Sequence, residues 1–152
     1  MVKRALAQTA RAYGIETTLE PTFYVYPDTM IRKRPDITFW SHTPITTDVT
    51  IVSPTDVLGD AAAIAAKEKK DEHTVAVSRL DHLFIPFAME TYGHFDKHCF
   101  DLFNKLASHL ENQLRHDFAL DMRHAASSAL AKARAVAVRN ACYAAMSFVH
   151  AA

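Results

Sequence analysis

Two aspartates lie in segments that are typical of β-strands, and their spacing indicates that they act together. Asp36 follows Pro35 at the start of a segment that runs to Trp40, and Asp48 lies twelve residues later among Ile, Val and Thr. Because a short turn joins the two segments, we expect them to pair antiparallel and to bring both carboxylates to one end of a sheet. Mg²⁺ prefers one or two carboxylates together with waters and a substrate phosphate, so this pair suits that ion or Mn²⁺.

A divalent cation held by two aspartates is suited to phosphodiester hydrolysis. Such an ion lowers the pKa of a bound water, orients it and offsets the negative charge of the transition state. A nearby lysine would position the attacking water and stabilise the same charge. The sequence shows no Ser-His or Cys-His arrangement for nucleophilic catalysis, and its three glycines leave no room for a loop that cradles phosphate. The structural alternative is that Asp36 caps a strand and that Asp48 pairs with a lysine or points to solvent.

The composition predicts one globular intracellular domain. The chain has 152 residues, of which 49% are apolar and 22% charged. Cys99 and Cys142 form no CxxC pair, which argues against a disulfide framework or a zinc knuckle and suits a reducing compartment. No apolar run approaches the roughly 18 residues that a membrane span needs. We therefore expect no membrane contact and no secretion.

The charges are balanced overall but unevenly distributed. The net charge is zero, with 17 basic and 17 acidic residues, so the total charge does not indicate a nucleic-acid partner. Two basic clusters nevertheless flank the aspartates, and they consist of Arg32, Lys33 and Arg34 and of Lys67, Lys69 and Lys70. A neutral chain can therefore still present one basic face.

The elements that must position these residues indicate a mixed α/β domain with a small mixed β-sheet flanked by helices. The order is α-β-β-β-α-β followed by a helical extension. Pro86 inside the fourth strand predicts an edge position or a bulge. We expect a core over residues 1–114 and an Ala-rich helix over 115–152 that packs on the core or mediates self-association. The predicted elements are helix 2–13 ended by Gly14, strands 22–26, 36–40 and 45–52, helix 60–72, strand 83–89, and helices 94–114 and 117–150.

Several motifs in this order resemble the PD-(D/E)XK (restriction-endonuclease-like) domain of non-LTR retrotransposon polyproteins, which is related to Holliday-junction-resolvase-like nucleases. The resemblance covers roughly residues 5 to 110. Its motifs are Arg34-Pro35-Asp36, the strand Asp48-Val49-Thr50 followed by a proline, the pair Lys67 and Lys70, and the segment from Phe84 to Gly93 that matches FxPFxxETxG.

The resemblance implies a restriction-endonuclease-like core and a role for each acidic residue. Asp36 and Asp48 would be metal ligands, and Glu20 would be the upstream acid that some relatives place near the metal. Thr50 occupies the position of the lysine in the archetypal motif, so the resemblance implies a lysine from the following helix.

Two lysines on that helix are candidates for the catalytic role. Lys67 and Lys70 are three residues apart and share a helix face, so either would reach the site, whereas Lys69 is expected to point elsewhere. Asp71 stands where the family usually has tyrosine after the second lysine. Because of this departure an alternative remains, in which the fold is catalytically degenerate and acts as a DNA-binding or protein-interaction module.

The predicted partner is double-stranded or branched DNA, with Arg32, Lys33, Arg34, His42 and Lys69 as backbone contacts. The resemblance also implies target-site nicking in the nucleus beside a reverse transcriptase region of the same polyprotein. A homodimer through the C-terminal helices is a further expectation, and a dimeric junction resolvase is an alternative with the same chemistry. Phe23, Tyr24 and Tyr26 would be able to stack bases, although aromatic strands more often belong to a core.

Overall fold

The structure is a computed structural model that describes residues 1–26 and 33–150, with side chains as far as residue 144. The described residues form helices and short strands, which confirms the predicted mixed α/β class. The elements are α1 Val2–Ala12, β1 Glu16–Leu19, β2 Ile37–Trp40, β3 Ile45–Thr47, β4 Val49–Val52, α2 Asp60–Ser78, β5 Leu83–Phe84, β6 Phe87–Glu90, α3 Lys97–Ala107 and α4 Asn112–His150.

The strands form a four-stranded mixed sheet and a separate parallel pair. The sheet has the order β1-β2-β3-β5, in which β3 and β5 are parallel and the other pairs antiparallel. The strand predicted over 45–52 is divided at Asp48 into β3 and β4, and the strand predicted over 83–89 is divided before Phe87 into β5 and β6. Pro86 lies at the second break, where its lack of an N–H donor does no harm. The pairing therefore changes at these two breaks, since β3 pairs with β5 in the four-stranded sheet and β4 pairs with β6 in the separate pair.

The predicted strand over 22–26 is wrong, and β1 takes its place at the sheet edge. Gly14, with φ of +83°, ends α1 as predicted, and β1 then pairs with β2 from Glu16 opposite Trp40 to Leu19 opposite Ile37. The aromatic segment lies across the sheet instead of joining it. It does so because the Tyr24 hydroxyl contacts the buried hydroxyls of Thr38 and Thr46, which need polar partners.

The two faces of the sheet have different roles. One face carries Ile37, Phe39 and Ile45, which are buried in the main core with side chains from α1, α3 and α4. Burying a side chain of this size contributes about 1.5–3 kcal/mol. The opposite face is covered by α2 and by the segment that contains Tyr24, which pack in two smaller clusters. The polar residues of the candidate site belong to this second face.

The helices differ in length from those predicted. Helix α2 continues to Ser78, α3 ends at Ala107, and α4 begins at Asn112. The first half of α4 packs on α1 and α3 through buried residues that include Phe118 and Met122, whereas Val138 and Tyr143 in its second half are exposed. Within the described part of the chain, no helix is long and apolar enough to cross a membrane.

Candidate active site

Asp36 and Asp48 lie at neighbouring strand ends, as their spacing predicts. The Asp36 N–H donates to the Thr47 carbonyl at 3.0 Å, and the Asp36 carboxylate accepts from the Val49 N–H at 2.8 Å. That second bond explains the break in the strand, because the Val49 amide bonds a carboxylate instead of a backbone carbonyl. Asp48 occupies the break and is 8% exposed. The predicted antiparallel pairing of the two segments is confirmed.

Glu20 joins this end of the sheet through a lysine that the sequence did not indicate. The Glu20 N–H donates to the Asp36 carbonyl at 2.7 Å, just beyond the end of β1. Lys3 of α1 donates to Glu20 Oε1 at 2.6 Å and to Asp36 Oδ1 at 2.9 Å. The hydrogen bonds that Lys3 donates to Glu20 and Asp36 raise the pKa of Lys3, and the bond with Lys3 lowers the pKa of Glu20. Both groups therefore carry their charge at neutral pH.

The lysine that contacts the buried aspartate is Lys69. Its Nζ lies 3.0 Å from Asp48 Oδ2 and 3.1 Å from Glu72 Oε2. Burial alone would lower the pKa of Lys69, but the bonds and charges of the two carboxylates outweigh burial and raise it. Lys69 is therefore an ammonium at neutral pH and is suited to orient or stabilise negative charge.

The expectation that Lys69 points away from the acids is wrong. Helix α2 buries Ala62, Ala65 and Ala66 against the strands, and Lys69 continues that face. Lys67 and Lys70 lie on exposed positions of the helix. Lys70 instead lines a separate cleft of about 410 Å³ between α2 and α3. No contact joins either of these two lysines to the acids among the ion pairs of the described residues.

His73 and Tyr26 complete the cluster, and sequence reasoning gave them no role in it. The His73 side chain is 2% exposed, its Nδ1 lies 2.6 Å from the Tyr26 hydroxyl, and its Nε2 lies 3.7 Å from Asp48 Oδ2. This last distance exceeds a hydrogen bond, and Nε2 has no hydrogen-bond partner among the described residues. Burial and the charges of Asp48 and Glu72 raise the pKa of Tyr26.

The environment keeps Asp48 ionised. Burial by itself would raise the pKa of this carboxyl, but the contacts with His73 and Lys69 prevail and lower it. Glu72 behaves in the same way, because Lys69 and Lys33 outweigh its burial and lower its pKa. Asp48 and Glu72 are thus ionised carboxylates matched by the ammonium groups of Lys69 and Lys33.

The predicted DNA contacts lie at different distances from the acids. Lys33 Nζ contacts Glu72 Oε1 at 3.2 Å, and Arg34 is exposed next to Pro35. His42 lies in the turn after β2, which is the end of the hairpin opposite the aspartates, so it is not part of the acidic cluster. Arg32 lies outside the described residues.

The carboxylates of Asp36 and Asp48 are donors of the type that a hard divalent cation prefers. Across residues 1–26 and 33–150, no three or more His, Cys, Asp or Glu side chains are grouped as a metal site. Two neighbouring carboxylates nevertheless suffice for Mg²⁺ or Mn²⁺, which take their remaining ligands from water and phosphate. The buried Nε2 of His73 faces Asp48 without a hydrogen bond, and a water or an ion held by Asp48 would give it a partner.

Comparison with known proteins does not assign the chain to a family. No family model matches the sequence, and no match is found among curated proteins. The resemblance to PD-(D/E)XK nucleases therefore stays a prediction, and the function has to be inferred from the acids and lysines of this site.

Proposed function

We propose that the protein is a metal-dependent DNA endonuclease of the PD-(D/E)XK type, in which Asp36 and Asp48 hold Mg²⁺ or Mn²⁺. One observation carries this proposal: the two aspartates lie at adjacent strand ends, and Lys69 reaches Asp48 from the following helix at 3.0 Å. Two carboxylates and a lysine at one end of a mixed sheet are the groups that metal-assisted phosphodiester hydrolysis requires.

The bound ion would lower the pKa of a water and offset charge on the scissile phosphate. Lys69 supports the reaction as a cation, because its raised pKa keeps the ammonium protonated at neutral pH. It would orient the attacking water and stabilise the phosphate oxygens, and it would not act as a general base. We assign it the catalytic role that the sequence indicated for Lys67 or Lys70.

Glu20 and Lys3 support the Asp36 side of the site. Lys3 bonds both carboxylates, so it joins Asp36 to Glu20 and fixes the position of Glu20. Glu20 remains 48% exposed in its side chain and is therefore able to contact a metal-bound water from the solvent side. Its role is assistance, since Asp36 and Asp48 supply the inner ligands.

The basic residues around the acids would bind the DNA backbone. Lys33 and Arg34 precede Asp36, and Lys3 and Lys69 belong to the cluster itself. Phosphate contacts of this kind release counterions, so binding should weaken steeply with salt. The wider proposal is target-site nicking in the nucleus beside a reverse transcriptase region, with a homodimer formed through the C-terminal helices.

The test is nicking of supercoiled plasmid with Mg²⁺, Mn²⁺ or EDTA, with three variants beside the wild type. Asp48→Asn keeps the shape of the side chain and removes its charge, and Lys69→Met removes the proposed catalytic cation. Lys67→Met is the matched control, because it lies on the exposed face of the same helix. We expect metal-dependent nicking that both site variants lose and the control retains.

The proposal is wrong if the folded wild type is inert with both metals, or if Asp48→Asn nicks as well as the wild type. Inert but folded protein that still binds DNA would favour the degenerate module, in which the same ion pairs only stabilise the sheet. A four-way junction offered beside the plasmid separates the resolvase alternative, since a resolvase would cleave the junction first.

A further inference from the structure

One nitrogen of a buried histidine faces two carboxylates of the candidate site. The side chain of His73 is 2% exposed, and its Nε2 lies 3.7 Å from Asp48 Oδ2 and 3.8 Å from Glu72 Oε2. Both distances are too long for a hydrogen bond, and Nε2 makes none within the part of the chain that the structure describes. Because a buried polar atom without a partner is costly, this nitrogen points to a ligand between the imidazole and the carboxylates.

The other side of the His73 ring is held in place. Its Nδ1 lies 2.6 Å from the Tyr26 hydroxyl, and the ring packs against Phe84 with the centroids 5.0 Å apart. When Nδ1 donates its proton to this hydroxyl, Nε2 keeps a lone pair, and such an outer hydrogen bond is what orients a histidine for binding metal. The ring therefore presents Nε2 to Asp48 in a fixed direction.

The gap between His73 and Asp48 has the size that a metal ion needs. Bonds from a divalent ion to an imidazole nitrogen or a carboxylate oxygen are about 2.1 Å long, so one ion bridges atoms up to about 4.2 Å apart. The 3.7 Å between Nε2 and Asp48 Oδ2 lies within this limit. Glu72 is as near to Nε2 and is placed to accept from a water of the ion.

An ion at this position would compete with Lys69 for Asp48. The ammonium lies 3.0 Å from Asp48 Oδ2, and like charges repel at such distances. Because the lysine side chain is partly exposed, it is able to turn from the aspartate towards a phosphate. The competition is therefore compatible with the role that we propose for Lys69.

We propose that His73 Nε2 is a ligand of the ion that Asp48 binds, and that the preferred cofactor is a first-row transition ion such as Mn²⁺ or Co²⁺. The inference rests on the proposed endonuclease function for the presence of an ion, and it adds the class of that ion. Mg²⁺ is a hard cation that binds through oxygen, whereas an imidazole ligand favours transition ions, with affinity rising from Mn²⁺ to Co²⁺. The nitrogen therefore discriminates against Mg²⁺.

Metal titration in the absence of DNA tests the ligand separately from cleavage. The whole chain is titrated with Mg²⁺, Mn²⁺ and Co²⁺ in a calorimeter, as the wild type, His73→Gln and His116→Gln. The last variant is the control, because His116 is exposed on α4. His73→Gln should lower the affinities for Mn²⁺ and Co²⁺ by at least the about 10–100-fold that loss of an outer hydrogen-bond partner costs. Its affinity for Mg²⁺ should be nearly unchanged, and the control should bind all three ions like the wild type.

This selective loss distinguishes a ligand from a residue that only supports the packing. Disturbed packing around His73 would displace Asp48 and weaken all three ions alike, whereas loss of a nitrogen ligand weakens the transition ions alone. Equal weakening of the three ions, or unchanged affinities in His73→Gln, would overturn the proposal. Circular dichroism checks that both variants fold.

Pulsed electron paramagnetic resonance of the Mn²⁺-loaded protein gives a second measurement, which does not require His73→Gln to fold. We expect spin-echo modulation from a bound nitrogen in the wild type and its loss in Asp48→Asn, which keeps His73 but removes the charge that holds the ion. Modulation that Asp48→Asn retains would come from histidines elsewhere on the chain and would overturn the proposal. Its absence in the Mn²⁺-loaded wild type would do so as well.

Nicking assays separate this inference from the proposed function. Nitrogen-bound Mn²⁺ in a folded protein that nicks no DNA would leave the His73 ligand standing and refute the endonuclease. Metal-dependent nicking by a protein that binds Mn²⁺ without nitrogen modulation would refute the ligand and leave the endonuclease standing.

Discussion

The candidate site has two halves that are built from the same chemical groups but differ in burial. In the α1 half, Lys3 bonds Glu20 and Asp36, and the side chains of Lys3 and Glu20 are 30% and 48% exposed. In the α2 half, Lys69 bonds Asp48 and Glu72, with the Asp48 side chain only 10% exposed. Each half joins a lysine of a helix to two carboxylates. Comparing the two halves therefore shows how burial changes the strength of the same kind of ion pair.

Exposure to solvent determines how much the ion pairs of each half contribute to the free energy of unfolding. An exposed ion pair gains about 0–1 kcal/mol because solvent screens it, whereas removing one partner of a buried pair costs about 3–5 kcal/mol. Lys69 is as exposed as Lys3, and it is the 10% exposure of the Asp48 side chain that places this ion pair between the two limits. The α2 half should therefore carry most of the electrostatic effect on a bound phosphate. Substitutions in the α1 half should reduce activity less.

The largest expected effect is on activity in Lys69→Met. Loss of the ammonium removes the charge that faces Asp48 and the phosphate, and comparable losses of a stabilising donor lower kcat by about 10²–10³-fold. Lys3→Met should lower it by much less, because its charge is screened. Single-turnover nicking under saturating metal measures both. Equal losses in the two variants would contradict the distinction between the halves.

The second effect is on stability, in His73→Ala. The substitution leaves a cavity at a buried position and removes the hydrogen-bond partner of the Tyr26 hydroxyl. We therefore expect the free energy of unfolding to fall by about 2–4 kcal/mol. Val75→Ala is the matched control, because Val75 lies on the exposed side of the same helix. Urea titration followed by circular dichroism gives both values. A loss below 1 kcal/mol for His73→Ala would mean that the α2 half is not tightly packed.

A smaller effect on stability is expected at low pH. It is smaller because the burial of Asp48 opposes the contacts that lower its pKa. The folded-state pKa lies below the ordinary value of 3.8, so the stabilisation is complete above that value and is lost as the pH falls through the folded pKa. Asp48→Asn should remove this part of the acid dependence. Urea midpoints between pH 5 and pH 2 measure it, and an unchanged profile in the variant would contradict the assignment.

The sequence predicted β2, β3 and the pairing of the two aspartate segments because those depend on local patterns. Alternation and a short turn suffice to place Asp36 beside Asp48. The break at Asp48 was missed, since it arises when the Asp36 carboxylate takes the amide of Val49. The contact of Lys69 with Asp48 was missed although a signal for it was present. The buried alanines of α2 form a stripe that continues through Lys69 to His73 at helical spacing.

The contact of Lys3 was beyond sequence reasoning because it depends on how α1 packs against the sheet. Its partners lie 17 and 33 residues away, and no local pattern distinguishes it from the other basic residues of the helix. The aromatic segment was missed for a related reason. Its composition favours a strand, but the buried hydroxyls beneath it determine its place.

The smallest expected effect is on stability in Lys3→Met. Both ion pairs of Lys3 are solvent-accessible, so we expect the free energy of unfolding to fall by about 0–1 kcal/mol at low salt. The difference from the wild type should shrink further in about 1 M salt, where the screening length is about 3 Å. Lys67→Met, which removes an exposed charge without an ion partner in the described structure, is the control. A loss above 2 kcal/mol that salt does not reduce would show that the α1 half is effectively buried, and the contrast between the two halves would no longer hold.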